Sequence, residues 1–513
     1  MESTSKHYPS DSDTDLLKKS QGIYAFQSTN WSWSQTKAVL VAGSGFLTES
    51  YDNFVLALVV PMLGYIYYPK SNGSLPIWED SWLKSSSSWG SIIGQLVFGY
   101  LADLLGRRKM YGVELIVLII GICGSALAGP MRGMTAIAAL SLWRLFIGCG
   151  LGGDCPMTAS ITSEFAGTNT RGQMMALVFS TQILGIVMGA AVSLFTLSIY
   201  HDEIVKDIQT LDTVWRILIG FAITPGLFAV YFRLTIPESP RFTHEVTEHH
   251  LEMTPDEYLS KGPMGELATE HHAPGEHLTA DLLRYFGKWS NMKILIGTSL
   301  SWFFLDIALI GVNVNSAILL DAIGYADMSS PYNNIWSISV GTLIVNCFGH
   351  IPGFIASIFL VEKLGRKPIQ NFGFLFLTII FAVMALFYES LRQNTTVFMI
   401  LFCGLEFFFN FGPNTTTFII PAEVFPTRIR TTAHGISAAM GKLGGLVGLQ
   451  FFTPLANIGG ENANVGNVMW IFSISCLLGL LVSLWIPETA GLSLEELADI
   501  YNDKSERLEK LKV

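Results

Sequence analysis

Ionisable and amide side chains sit inside long apolar stretches of this chain, where water cannot solvate them. Glu49 and Asp52 stand three residues apart in the first stretch, hence on one face of a helix. Asp154 lies in Gly150-Leu-Gly-Gly-Asp154-Cys155-Pro156, about ten residues before Glu164, which puts it roughly 15 Å inside the apolar layer. Asp306 follows Trp302 by one helical turn, and Gln182, Asn414 and Lys442 add polar groups to three further stretches. A charge at membrane depth is costly and marks a solute or proton path by default. The competing reading of each residue is a structural ion pair or a satisfied interhelical hydrogen bond. Arg144 reads as a structural partner for an acid of the first stretch, and Glu114 is open either way.

The elements that must position these groups are membrane-spanning helices. Of 513 residues, 50% are hydrophobic and 14% charged, with 48 Gly and 34 Phe, too little charge to cover a soluble protein of this size. Apolar runs near 38–67, 85–104, 111–129, 137–163, 173–199 and 214–234 form one set. A second falls near 294–323, 339–361, 369–388, 397–420, 433–452 and 467–486. The expected fold is all-α, two six-helix bundles at 38–240 and 294–486, with a tail at 1–37, a linker at 241–293 and a tail at 487–513. Residues 1–30 are polar and lack the apolar core of a cleavable leader. Of the 31 basic residues, Lys70, Lys84, Arg132, Lys206, Arg216 and Arg392 fall on one side and Arg144 and Lys442 within spans; the rest collect with the tails and linker, which predicts a cytoplasmic face there. Asn72-Gly-Ser74 and Asn394-Thr-Thr396 are then external and open to glycosylation. The linker histidines His244, His249, His250, His271, His272 and His277 lack a zinc-type spacing and read as a solvated segment. The six cysteines all lie in apolar runs, without CxxC spacing, and read as packed side chains.

An internal repeat ties the two sets together. Asp103-Leu-Leu-Gly106-Arg107-Arg108 follows the second run and Glu362-Lys-Leu-Gly365-Arg366-Lys367 the eighth, at an offset of 259 that also carries Glu164 to Glu423 and Arg171 to Arg430. This acid-xx-Gly-Arg loop resembles the hallmark of the major facilitator superfamily. Glycine allows the tight turn, and the acid can pair with a base or face a helix terminus, holding an inward gate. Glu164 with Arg171, and Glu423 with Arg428 and Arg430, are expected to form the matching latch. Pro237-Glu238-Ser-Pro-Arg241 and Pro487-Glu488-Thr-Ala-Gly491 resemble helix-end motifs of the sugar-porter branch. The same offset relates Cys155 to Asn414 and sets Gln182 beside the counterpart of Lys442, directing them toward one central cavity.

The stretches around Asp154, Trp302 to Asp306 and Gly412 to Arg428 resemble the phosphate:H+ symporter family of fungi and plants, over nearly the whole chain outside the first 35 residues and the linker. That resemblance implies a dihydrogen phosphate site made here by Asp154, Gln182, Trp302, Asp306, Asn414 and Lys442. Two family tyrosines are replaced by Cys155 and Ile310, and Glu49 stands where aspartate is usual. Losing two phenols removes donors and opens volume, which suits a phosphodiester better than inorganic phosphate. The chain thus looks like the fungal glycerophosphodiester permeases of that family. The expected function is proton-coupled import of glycerophosphoinositol or glycerophosphocholine across the plasma membrane by alternating access. Protons would be carried by Asp154 and Asp306, with Glu49 and Asp52 as secondary candidates. Inorganic phosphate:H+ symport is the alternative; a sugar carrier or a non-transporting nutrient receptor is more remote. The partners expected are membrane lipid and a small anionic phosphate-containing solute, not nucleic acid. No catalytic Ser/His/Asp set, phosphate loop or metal cluster is recognisable, so neither an enzyme nor a cofactor beyond the coupling proton is expected.

Overall fold

In the computed structural model, residues 33–497 are described except 72–73, 131–132, 235–273, 326, 328, 461–462 and 495. Among the described residues, nine helical stretches are long and apolar enough to cross a bilayer. They are α1 (Ser44–Tyr67), α4 (Ala136–Phe165), α5 (Arg171–Ile199), α6 (Ile208–Val230, its helix running on to Leu234), α7 (Trp289–Val314), α8 (Pro331–Leu364), α9 (Arg366–Leu386), α10 (Thr395–Val424) and α12 (Val465–Ser483). Three more crossings, α2 (Ile77–Leu105), α3 (Val113–Ala126) and α11 (Arg430–Ala456), complete two six-helix bundles. Their composition explains why they are less obvious: α2 carries a serine run and charges at both ends, α3 is short, and α11 is rich in Gly and Thr. Helices that face helices inside a membrane protein can be this polar, because small residues give close packing.

The helices differ from the apolar runs mainly at the ends. Helix α2 begins at Ile77, so Lys84 is not a loop residue but a buried one inside a crossing. Helix α7 stops at Val314, and the run to 323 contains a separate short helix, Ser316–Ala322. A helix at Pro274–Phe286 lies within the stretch read as linker, and α7 starts at Trp289. Two glycines are obligatory for the turns that join α2 to α3 and α8 to α9. Gly106 and Gly365 have φ of 95° and 88°, a region that side chains disfavour. Both turns lie at one end of the molecule, here termed the turn end. Close approach is most marked between α2 and α4, where a Cβ at Gly148 would collide with the Ser87 carbonyl.

Candidate functional site

A cavity lies between the two bundles, and Gln182, Trp302, Asp306, Asn414 and Lys442 all line it, together with Glu49. Lys442 of α11 reaches across to α1 and donates to Glu49 Oε1 at 2.5 Å. Asp306, almost fully buried on α7, stands within electrostatic reach of both. Cys155 and Ile310, the departures from the family pattern, are also on the wall. Trp302 packs edge-on to the buried His434 at 5.6 Å, and Asn414 donates to Asn410 Oδ1 at 2.7 Å. These six residues thus present one ammonium, two carboxyls, two amides and an indole, a set able to bind an oxyanion while exchanging protons.

Two expected members of the site point elsewhere. Asp154 does not line the cavity: it pairs with Arg233 of α6, which also bonds Glu114 Oε1 at 3.0 Å, and it accepts from Thr158 at 2.9 Å. Arg233 is buried, its guanidinium 4.5 Å from the Tyr111 ring. Two carboxylates in one apolar bundle require a cation, and Arg233 supplies it. In the sequence it reads as a basic helix end, although it lies before the apolar run has finished. The signal that could have found it is the pair of otherwise unmatched acids, Glu114 and Asp154. Asp52 is likewise diverted, held by Arg144 through two bonds of 3.0 and 2.9 Å, the structural partnership expected of Arg144. Glu49 and Asp52 share a helix face yet serve different bundles. Glu49 reaches α11 of the other bundle; Asp52 stays with α4 of its own.

The turn end is closed by two layers. Nearest the cavity, Phe46, Phe179 and Phe418 pack together, Phe179 and Phe418 stacked at 4.7 Å across the two bundles. Beyond them lies a buried ionic layer with the pseudo-symmetry of the repeat. Glu164 accepts from Arg107 at 3.2 Å and from Arg430 at 3.1 Å. Glu423 accepts from Arg366 and Arg171, each at 2.9 Å. Asp103 receives Thr432 N of α11 at 2.7 Å, and Glu362 receives Gln173 N of α5 at 3.2 Å, each acid facing the helix start of the other bundle. The latch expected within each half is corrected: Arg171 and Arg430 exchange partners across the axis. A two-fold relation brings equivalent groups together at the axis, so each arginine meets the other half's glutamate. Arg428 leaves this layer and pairs with Asp281 of the 274–286 helix at 3.0 Å. At the opposite end, Lys84 bonds Asp80 and Asn315 at 2.8 and 2.9 Å, and Thr453 bonds Asp80 at 3.2 Å, so contacts between bundles span both ends.

Asn72, the motif Pro237-Glu238 to Arg241 and the linker histidines His244, His249, His250, His271 and His272 lie outside the described residues, as does the side chain of His277. Among the described residues no group of acids, histidines and cysteines is arranged to hold a metal.

The paired bundles with a cavity at their interface define a transporter of the major facilitator class. Solved structures agree on the fold: that of the "MFS (major facilitator superfamily) proton:xylose symporter XylE" superimposes with TM-score 0.70 at 21% identity, covering 91% of this chain and 99% of that one. The chain belongs to the "Sugar (and other) transporter" family, which it matches over residues 37–501. Curated relatives are more specific. It is 38% identical to the "Inorganic phosphate transporter PHO84" of Saccharomyces cerevisiae over 95% of this chain and 88% of that one. It is 40% identical to the "Repressible high-affinity phosphate permease" of Neurospora crassa, over 92% and 88%. A "Probable inorganic phosphate transporter 1-6" of Arabidopsis thaliana is 36% identical over 91% and 94%. The chain is therefore a multi-pass membrane transporter, not an enzyme.

Proposed function

We propose that the protein is a proton-coupled symporter that brings inorganic phosphate across the plasma membrane, its turn end facing the cytoplasm. The observation that carries this reading is the Lys442–Glu49 pair beside Asp306 in a cavity shared by both bundles. Lys442 has a carboxylate partner until an anion arrives. An incoming dihydrogen phosphate competes with Glu49 for the ammonium, and its charge repels Glu49 and Asp306 in a medium of low dielectric. Binding is eased when one carboxyl is protonated, so proton and anion load together. Gln182, Trp302 and Asn414 then offer N–H groups to the phosphate oxygens. Opening the ionic layer and the phenylalanine plug would release both on the cytoplasmic side, where the higher pH withdraws the proton. The relatives, an inorganic phosphate transporter and a phosphate permease, support phosphate as substrate. The excess of Lys and Arg at the turn end supports the orientation.

A specific observation favours a second reading, uptake of a glycerophosphodiester. Cys155 and Ile310 both face the cavity in place of hydroxyl donors. Uptake of labelled phosphate in a yeast strain lacking its own phosphate carriers, with unlabelled phosphate, glycerophosphoinositol or glycerophosphocholine as competitors at external pH 4.5 and 7.5, separates the two. Phosphate saturating uptake and outcompeting both esters, more strongly at acid pH, supports the first. Preferential competition by an ester, reversed toward phosphate in Cys155→Tyr/Ile310→Tyr, supports the second. Uptake blind to pH and to all three solutes would remove both.

A further inference from the structure

On the α8 side of the cavity a second ionisable pair lies outside everything assigned above. Helix α8 contains a single π turn, Asn346–His350, whose extra residue brings Asn346 and His350 onto the cavity wall. Such turns are rare in helices and concentrate at functional positions. His350 is buried, and its Nδ1 lies 3.2 Å from Glu406 Oε2 of α10, also buried. Its Nε2 and the Glu406 Oε1 have no hydrogen-bond partner among the described residues.

The hydrogen-bond contacts around this pair suit one arrangement of protons. Asn410 Nδ2 donates to the backbone carbonyl of Glu406 at 2.7 Å, an oxygen that only accepts, so that atom is the amide nitrogen. Asn410 Oδ1 is occupied by Asn414 Nδ2 at 2.7 Å. The remaining N–H of Asn410 faces His350 Nδ1 at 2.9 Å, which makes Nδ1 an acceptor. Glu406 Oε2 contacts that same lone-pair nitrogen, and two acceptors need a hydrogen between them. A hydrogen on Glu406 Oε2 meets that need: it shares the single Nδ1 lone pair with the Asn410 N–H, and the imidazole proton then sits on the enclosed Nε2.

We propose that His350 and Glu406 are a proton-carrying pair whose state is reported to the solute through Asn410 and Asn414. The inference rests on the symport reading and names a coupling site within it. In the loaded state Glu406 holds the proton on its carboxyl. Unloading breaks the Nε2–H bond while the carboxyl proton moves to Nδ1; the products are a Glu406 carboxylate, a neutral imidazole protonated at Nδ1, and one proton released. Nδ1–H now confronts the Asn410 N–H, so Asn410 turns away and Asn414 loses the partner that orients it toward the solute. The pair is uncharged when loaded and carries one negative charge when empty, so anion binding favours the loaded state. Besides Glu406, the charged groups that share the cavity wall with His350 are Asp306, Glu49, Lys442, Lys84 and Arg144; Cys403 precedes Glu406 by one turn on α10. His350 and Glu406 act as positioning residues for Asn414.

The test uses full-length protein in proteoliposomes and in detergent, with inorganic phosphate as probe. Protons moved per phosphate are measured for the wild type, Glu406→Gln and His350→Asn, and phosphate affinity is measured across pH 5–8 in detergent. One linked proton contributes about a tenfold change in affinity per pH unit over its titration range. The proposal expects both variants to lose one proton's share of that slope and to move fewer protons per phosphate. Variants that keep the wild-type slope and ratio overturn it, as does loss of phosphate binding at every pH in both. A wild-type protein whose phosphate uptake moves no protons would instead sink the symport reading itself.

Discussion

The buried ionic layer at the turn end makes a quantitative demand on the equilibrium between its closed and open forms. Consider Glu164→Gln. Glu164 accepts from Arg107 within its own bundle and from Arg430 of the other, and the side chain is fully enclosed. After substitution Arg107 retains Asp103 at 3.1 Å, and Arg430 retains the Phe425 carbonyl at 3.0 Å. The charge-assisted bond to Arg430 exists only while the bundles meet, so its loss is charged to the closed form alone. A hydrogen bond to a charged group is worth about 1.5–3 kcal/mol. At about 1.4 kcal/mol per decade, the closed-to-open ratio falls by about ten- to 150-fold. Ser160 offers the reporter, because its hydroxyl lies 3.0 Å from Thr431 across the same interface. In inside-out vesicles, Ser160→Cys should react with a membrane-impermeant maleimide faster by that factor when Glu164→Gln is added. A labelling rate unchanged by Glu164→Gln, at equal protein abundance, would refute the assignment of the layer as a gate.

At the opposite end, Lys84→Met strands buried Asp80 beside the Thr453 hydroxyl, a loss of about 3–5 kcal/mol for a broken buried pair. External maleimide access to a cysteine at Asn315 should rise, and unchanged access would show that Lys84 is no outer clasp. Gly148→Ala should lower the melting temperature and the amount of folded protein, because a Cβ there collides with the Ser87 carbonyl and overpacking costs about 1–3 kcal/mol. An unshifted melting curve would mean that α2 and α4 can separate freely. Arg233→Gln should leave Asp154 and Glu114 buried without their shared cation and reduce folded protein more than Asp154→Asn/Glu114→Gln/Arg233→Gln does, read as abundance by size-exclusion fluorescence.

The amino-acid sequence discloses the architecture where periodic apolar runs and one constant offset carry it. It discloses the cavity where polar residues interrupt those runs: Gln182, Trp302, Asp306, Asn414 and Lys442 do converge. It does not disclose which acid meets which base, since pairing depends on helix rotation and on the crossing of the two-fold axis. Asp154 and Asp306 look alike in the sequence, yet Arg233 captures one and leaves the other in the cavity. The exchange of Arg171 and Arg430 between halves is likewise a property of the axis, invisible in either repeat alone. Lys84 was hidden because Glu79, Asp80 and Lys84 itself put three charges into the first turns of α2, ahead of the apolar run at 85–104. His350 was hidden because a π turn shifts helical register without altering composition.

The most direct test of the central claim places Asp306→Asn in proteoliposomes beside the wild type and follows labelled phosphate under an inward proton gradient. Exchange of labelled for unlabelled phosphate needs the cavity but no net proton movement. Asp306→Asn is expected to keep exchange and lose uphill accumulation. Gradient-driven accumulation at the wild-type level would contradict it.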